Sequence, residues 1–269
     1  MGAMALETAI IKFSDVHFSY PEAEGPVFSG FSGSLPGGFV SLVGPNGSGK
    51  STLMLLASGR LLPQTGIVSL LGRDTRLFID EDERNAYASF VYQNMEFDTQ
   101  DPMGALLEQV YSAGKHPLKG DSFYREALEA FELGALLGRP LNTLSKGEMQ
   151  RTLLAFSALY GSRSVFMDEP VFAIEDQQKH RAMDFFRSYQ ERTGITVYVS
   201  LHELELTRKH AQRTVLFKPD RTMEIGTPEE VLTRESLEAA YGVPAAMLKD
   251  KEQLDRRRLE EEADLLKGK

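Results

Sequence analysis

The chain has 269 residues and carries 39 acidic against 30 basic side chains, a net charge of -9, so no broad nucleic-acid partner is expected. Its length and 42% hydrophobic content suit one large α/β domain with an inserted or appended subdomain. No run reaches the length of a membrane span, no basic-then-apolar leader is visible, and zero cysteine excludes disulfides, thiolate metal sites and cysteine nucleophiles.

In chain order, Ile10–Phe13 and Val16–Tyr20 read as short strands, the second closed by Pro21. Turns rich in glycine are expected around Gly30, Gly33 and Gly37-Gly38. Phe39–Val43 is an apolar strand, followed by the glycine-rich stretch 44–52 and a helix that Gly59 and Pro63 end. Ile67–Leu71 and Ser89–Tyr92 are further strands. From about Asp101 to Tyr160 apolar residues recur at helical spacing, as in Leu106, Leu107 and Val110, and strand signals vanish. This predicts a helical subdomain over about 94–160. The sheet resumes at Val165–Met167, then a helix over Gln177–Arg192, a strand over Ile195–Ser200, a helix over Glu203–His210 and late strands at Thr214–Phe217 and Thr222–Ile225. The main domain is placed at 6–248, with a charged helix or tail over 249–269.

Gly44-Pro45-Asn46-Gly47-Ser48-Gly49-Lys50-Ser51-Thr52 fits G-x-x-x-x-G-K-[ST] between a strand and a helix. That context favours a phosphate-binding loop over a plain tight turn. Its glycines let backbone N–H groups converge on phosphate oxygens, and the helix opening adds its positive dipole end. Lys50 would reach the β- and γ-phosphates, and the Ser51 hydroxyl would ligate Mg²⁺. A phosphate loop needs an acidic partner at the end of a neighbouring strand, and Val165-Phe166-Met167-Asp168-Glu169 supplies one. Asp168 would hold the metal's ligand shell, and Glu169 would orient or deprotonate the attacking water. Without the upstream loop, the same pair reads as surface acids at a strand end.

Leu144-Ser145-Lys146-Gly147-Glu148 precedes the acidic pair, and with it the chain resembles the ATP-binding-cassette (ABC) ATPases, whose signature is Leu-Ser-Gly-Gly-Gln and near variants. The resemblance runs from about Ile11 to Val243. It implies an α/β fold: a P-loop NTPase core with an N-terminal antiparallel β subdomain and an inserted α-helical subdomain. It implies ATP and Mg²⁺ as cofactors, with Tyr20 stacking on adenine and residues 46–52 holding the nucleotide. Gln93 is similar to the glutamine that touches Mg²⁺ and the attacking water, and His202 to the histidine that contacts the γ-phosphate. Ser145, Lys146, Gly147 and Glu148 would bind the γ-phosphate held by the other subunit, with Ser145 as a helix cap. Two departures stand out. Lys146 and Glu148 replace Gly and Gln in the signature, and Phe172-Ala173-Ile174-Glu175 stands where the family usually has Ser-Gly-Leu-Asp.

The resemblance further implies a second ABC subunit, expected as a homodimer, together with transmembrane permease subunits and a substrate-binding protein. The expected location is the cytoplasmic face of the cell membrane. Gly226-Thr227-Pro228-Glu229-Glu230-Val231-Leu232 and the segment to Val243 are similar to the ATPases of bacterial importers for iron chelates, haem and cobalamin. A metal-ion, vitamin or lipid transporter also fits, and the alternative is the ATPase of a soluble machine such as iron–sulfur cluster assembly.

Overall fold

In a computed structural model of the chain, the described residues are 9–21, 23, 25–93, 95, 97–115, 118 and 121–248. The expected tail over 249–269 lies outside them. Ten strands run β1 (Ala9–Phe18), β2 (Phe28–Pro36), β3 (Phe39–Val43), β4 (Thr65–Leu70), β5 (Arg73–Asp74), β6 (Ala88–Val91), β7 (Ser164–Asp168), β8 (Thr196–Ser200), β9 (Arg213–Phe217) and β10 (Met223–Gly226) among the described residues. The α-helices there are α1 (Lys50–Ala57), α2 (Glu81–Tyr87), α3 (Met103–Ala113), α4 (Asp121–Ala130), α5 (Lys146–Tyr160), α6 (Asp176–Thr193), α7 (Leu204–His210), α8 (Pro228–Val231) and α9 (Arg234–Tyr241).

The strands form two sheets. One is antiparallel, in the order β2-β1-β4-β5, and the other has the order β10-β9-β3-β8-β7-β6. In the second, β9, β3, β8, β7 and β6 are mutually parallel and only β10 runs the other way. Every residue of β3 and β8 is buried, as expected of parallel strands covered on both faces.

The two-residue period of these strands divides the core. Phe39, Val165, Met167, Val197 and Val199 point to one side, where α3, α5 and α6 pack with Leu107, Leu154, Met183 and Phe186. Val40, Leu42, Phe166, Tyr198 and Val215 point to the other, against α1 and the antiparallel sheet with Leu53, Leu56, Phe13 and Val68. Tyr198, fully buried there, donates its hydroxyl to the Pro36 carbonyl at 2.8 Å. The sheet is therefore the middle layer, and both of its faces are fixed by burial.

Two local readings are corrected. Ile10–Phe13 and Val16–Tyr20 are not two strands but one, β1, broken by register shifts around Asp15, which takes φ 51°. Tyr20 lies beyond its end. Gly30 and Gly33 do not mark loops but sit inside β2, with Gly30 at φ 69° facing the same irregular stretch of β1. The polar segment Glu81–Tyr87 forms α2, capped by Asp80, whose side chain accepts from the Glu83 amide. The expected N-terminal antiparallel sheet is completed by β4 and β5, which join it after the chain has passed through β3 and α1.

Candidate functional site

Strand register brings the candidate residues to one edge. Leu42 pairs with Ser200, Ser200 with Asp168, and Met167 with Val91. One or two residues past this row come Gly44, His202, Glu169 and Gln93. Ligands of open parallel sheets bind at such carboxyl ends.

The loop from Gly44 to Gly49 is shaped by backbone needs. Gly44 has φ 143°, and a Cβ there would stand 2.8 Å from the Phe217 carbonyl oxygen, so only glycine fits. Gly49, in the left-handed region, precedes α1 and offers no side-chain cap. The N–H groups of the first turn of α1 thus have no side-chain acceptor from the residue that usually supplies one. Asn46, Gly47 and Ser51 are exposed, whereas Ser48, Lys50 and Thr52 are buried. Lys50 lies in α1 with its ammonium turned back over the loop, donating to the Gly44 and Pro45 carbonyls at 2.8 and 3.0 Å. The Ser48 hydroxyl is buried without a hydrogen-bond partner. Just beyond the end of β1, Tyr20 meets the first turn of α1, its hydroxyl 3.2 Å from that of Thr52 and its ring edge-on to Phe18.

The acidic pair splits into two environments. Asp168 ends β7 with one carboxylate oxygen, Oδ1, buried and unpartnered. Burial raises its pKa, while Ser51 and Lys50 act against the rise. Glu169 is clasped instead. The Gln93 side-chain amide donates to its Oε2 at 2.7 Å, and the His202 Nε2 lies 2.5 Å from its Oε1. Its backbone takes φ 50°, a left-handed conformation that costs about 1–2 kcal/mol for a residue with a Cβ. Strain here aims a carboxylate that two neighbours then fix.

A divalent cation fits this site. The orphaned Asp168 oxygen and the neighbouring Ser51 hydroxyl are hard oxygen donors. Among the described residues no group of three or more histidine, cysteine, aspartate or glutamate side chains could hold a metal alone. A cation here would take its remaining ligands from phosphate and water, the usual habit of Mg²⁺.

The signature segment is built differently. Ser145 caps α5, accepting from the Glu148 amide, and the Glu148 carboxylate accepts from the Ser145 amide at 2.7 Å, a complete capping box. The other Glu148 oxygen accepts from Arg139 at 2.8 Å. The Ser145 amide holds the Glu148 pKa below the ordinary range, with Arg139 adding to it. Lys146 is exposed. Gly147 is required sterically, since a Cβ there would stand 2.7 Å from the Ala173 carbonyl oxygen. The start of α5 therefore rests on the loop after the acidic pair, and Glu175 at the end of that loop is exposed.

Sequence reasoning missed three residues beside the site. Lys179 on α6 is buried and donates to Asp176 at 2.8 Å and to Glu203, next to His202, at 2.7 Å. The spacing of Asp176 and Lys179 hints at a helical ion pair. Glu203 comes from another element, and its partner cannot be read from spacing.

These features together, a phosphate loop, a paired acidic strand end and a capped signature helix on one layered sheet, define a nucleotide-hydrolysing cassette. The family model described as ABC transporter matches residues 31–172. The chain belongs to that family. It is similar to a hemin import ATP-binding protein from Rhizobium meliloti, 32% identical over 221 residues that cover 78% of this chain and 82% of the relative. It is likewise similar to a hemin import ATP-binding protein from Pseudomonas entomophila, 30% identical with 77% and 83% covered. Among solved structures, a dimeric post-hydrolysis state of an ATP-binding cassette bound to ADP and Pi aligns with TM-score 0.68 at 23% identity, covering 81% of this chain and 98% of that one. The chain is thus the ATP-binding and hydrolysing subunit of an ABC transporter. Among the described residues no helix is long and apolar enough to cross a membrane.

Proposed function

We propose that the chain powers import of haem or a related metal chelate by binding ATP between two of its copies and hydrolysing it. The observation that carries the catalytic part is the clasp on Glu169. A carboxylate held from both sides by Gln93 and His202, beside Asp168 with its one unpartnered oxygen, is arranged to receive a water molecule and its proton.

In this reading Asn46, Gly47, Ser48, Gly49 and Thr52 surround the phosphates, and Lys50 leaves the loop carbonyls for the β- and γ-phosphates. Tyr20 stacks on the base. Ser51, Asp168 and Gln93 hold Mg²⁺, which supplies charge neutralisation at the transferred phosphoryl group. Glu169 takes the proton of the attacking water, and His202 orients Glu169 and the γ-phosphate. Ser145, Lys146, Gly147 and Glu148 face the nucleotide of the second copy. With the Glu148 side chain committed to its own cap, backbone N–H groups there carry the contact. The dimeric cassette with bound ADP and Pi supports this arrangement.

Residues 94–160 act as the helical subdomain that meets a separate permease. A cavity of about 580 Å³ lined by Phe90, Val91, Met95, Phe97, Leu106 and Val110 supports that contact. The subunit would then sit on the cytoplasmic face of the membrane, with a substrate-binding protein on the opposite side. Import of a haem-like cargo rests on the relatives named for hemin import and on the 226–243 segment. There Thr227 and Glu230 form a second capping box, with Pro228 in the first turn of α8. These relatives give the iron–sulfur alternative no support.

Affinity capture of a tagged Glu169→Gln variant from gently solubilised membranes with ATP tests the proposal. It predicts recovery of a polytopic membrane protein in stoichiometric amount. Recovery of soluble partners alone would contradict it.

A further inference from the structure

We propose that Lys179 is a positioning residue for hydrolysis, which sets His202 against Glu169 by tying the switch loop to the loop after the acidic pair. The inference rests on the reading of Glu169 and His202 given above. A lysine ammonium is normally kept in water, yet Lys179 is 1% exposed. Its Nζ spans two elements, to Asp176 Oδ1 at the first position of α6 and to Glu203 Oε1. Glu203 stands at the N-cap position of α7, where an acid ordinarily accepts from its own helix, and it makes no such cap bond. Its carboxylate is turned to Lys179 instead.

The consequence lies one residue back. His202 connects the end of β8, all of it buried, to Glu203. With the strand fixed on one side and Glu203 tethered on the other, the short stretch between them has little freedom. That places the imidazole on Glu169. The same ammonium holds Asp176, whose neighbour Glu175 ends the loop on which Gly147 of the signature helix rests. One buried cation thus joins the segment that would meet the second copy to the residue that aims the catalytic carboxylate. No mobile element needs to be invoked, only two loops sharing one anchor.

The test compares ATP turnover of the full chain with Lys179→Met, Lys179→Arg, Glu203→Gln, His202→Ala and the Lys179→Met/His202→Ala pair. Single-turnover conditions keep slow variants measurable. Releasing the switch loop should lower kcat by roughly tenfold or more, with KM for ATP within about twofold, because misplacement costs rate rather than binding. Lys179→Arg should restore most of the loss. Glu203→Gln, a change at a partly exposed side chain, should reproduce the loss without unfolding the protein. Adding Lys179→Met to His202→Ala should change nothing further, since the effect runs through His202. Turnover of Lys179→Met and Glu203→Gln within about twofold of the parent would overturn the inference. An equal proportional loss with and without His202 would do the same. Normal turnover of His202→Ala would instead remove the catalytic reading on which it rests.

Discussion

The two helix starts that flank the nucleotide chemistry are built on opposite plans. At α1 the preceding Gly49 supplies no cap, the Lys50 ammonium turns back onto the loop carbonyls, and the Ser48 hydroxyl is buried without a partner. At α5 one of the equivalent amides, that of Glu148, is answered within the chain by the Ser145 side chain, with the Glu148 carboxylate closing the box. A start left without its own acceptor suits a ligand held by the same chain for the whole cycle. A start that its own chain already caps in part depends less on a ligand for stability, which suits a surface that meets another molecule's nucleotide and leaves it again. The sequence departure at Glu148 belongs to this second plan, because a carboxylate closes the box and also takes Arg139.

The sharpest way to break the contrast is at α1. Lys50→Ala removes the cation expected at the phosphates and should lower ATP turnover by about 10²-fold or more, as removal of a preorganised charge does. Near-parental turnover would place the phosphates elsewhere.

Asp168→Asn separates chemistry from stability. Turnover should fall as the proposed metal site loses a donor, while the nucleotide-free protein should gain roughly 1 kcal/mol, a rise of about 2–4 °C in Tm for a domain of this size. The direction follows from the raised pKa. The folded state holds the Asp168 proton to higher pH than the unfolded chain does, so stability declines as pH rises from about 3.8 through the raised value. The asparagine variant should lose that component of the decline. Thermal unfolding across the acid range reads both.

Tyr20→Ala should weaken ATP binding by about 1–3 kcal/mol, the size of one stacking contact, with kcat little changed. Unchanged affinity would leave Tyr20 as a packing residue against Phe18. The smallest effect belongs to α5. Glu148→Ala opens the capping box and should cost about 1 kcal/mol in thermal unfolding, while the backbone contact to a partner's nucleotide survives. A loss of turnover far beyond that destabilisation would mean the carboxylate itself touches nucleotide.

Much of this was legible in the sequence, because it rests on local signals. The apolar strands, the glycine loop, the Asp-Glu strand end and the Ser145 cap each declare themselves within ten residues. The failures share a cause too. β2 contains Gly30 and Gly33, which read as turn residues, and only pairing with β1 across an irregular stretch makes them strand. The clasp on Glu169 joins residues 76 and 33 positions apart, and Lys179 reaches Glu203 across 24. A shared partner of that kind has no period or motif. Its signature is burial of a charge, which the linear chain does not display.

The central claim is that Glu169, held by Gln93 and His202, removes the proton of the attacking water. Turnover and ATP-dependent association of Glu169→Gln, measured together, address it most directly. The account predicts turnover reduced by about 10²–10⁴-fold with ATP still bound and a dimer retained. Hydrolysis at the parental rate would assign the water to another residue and contradict it.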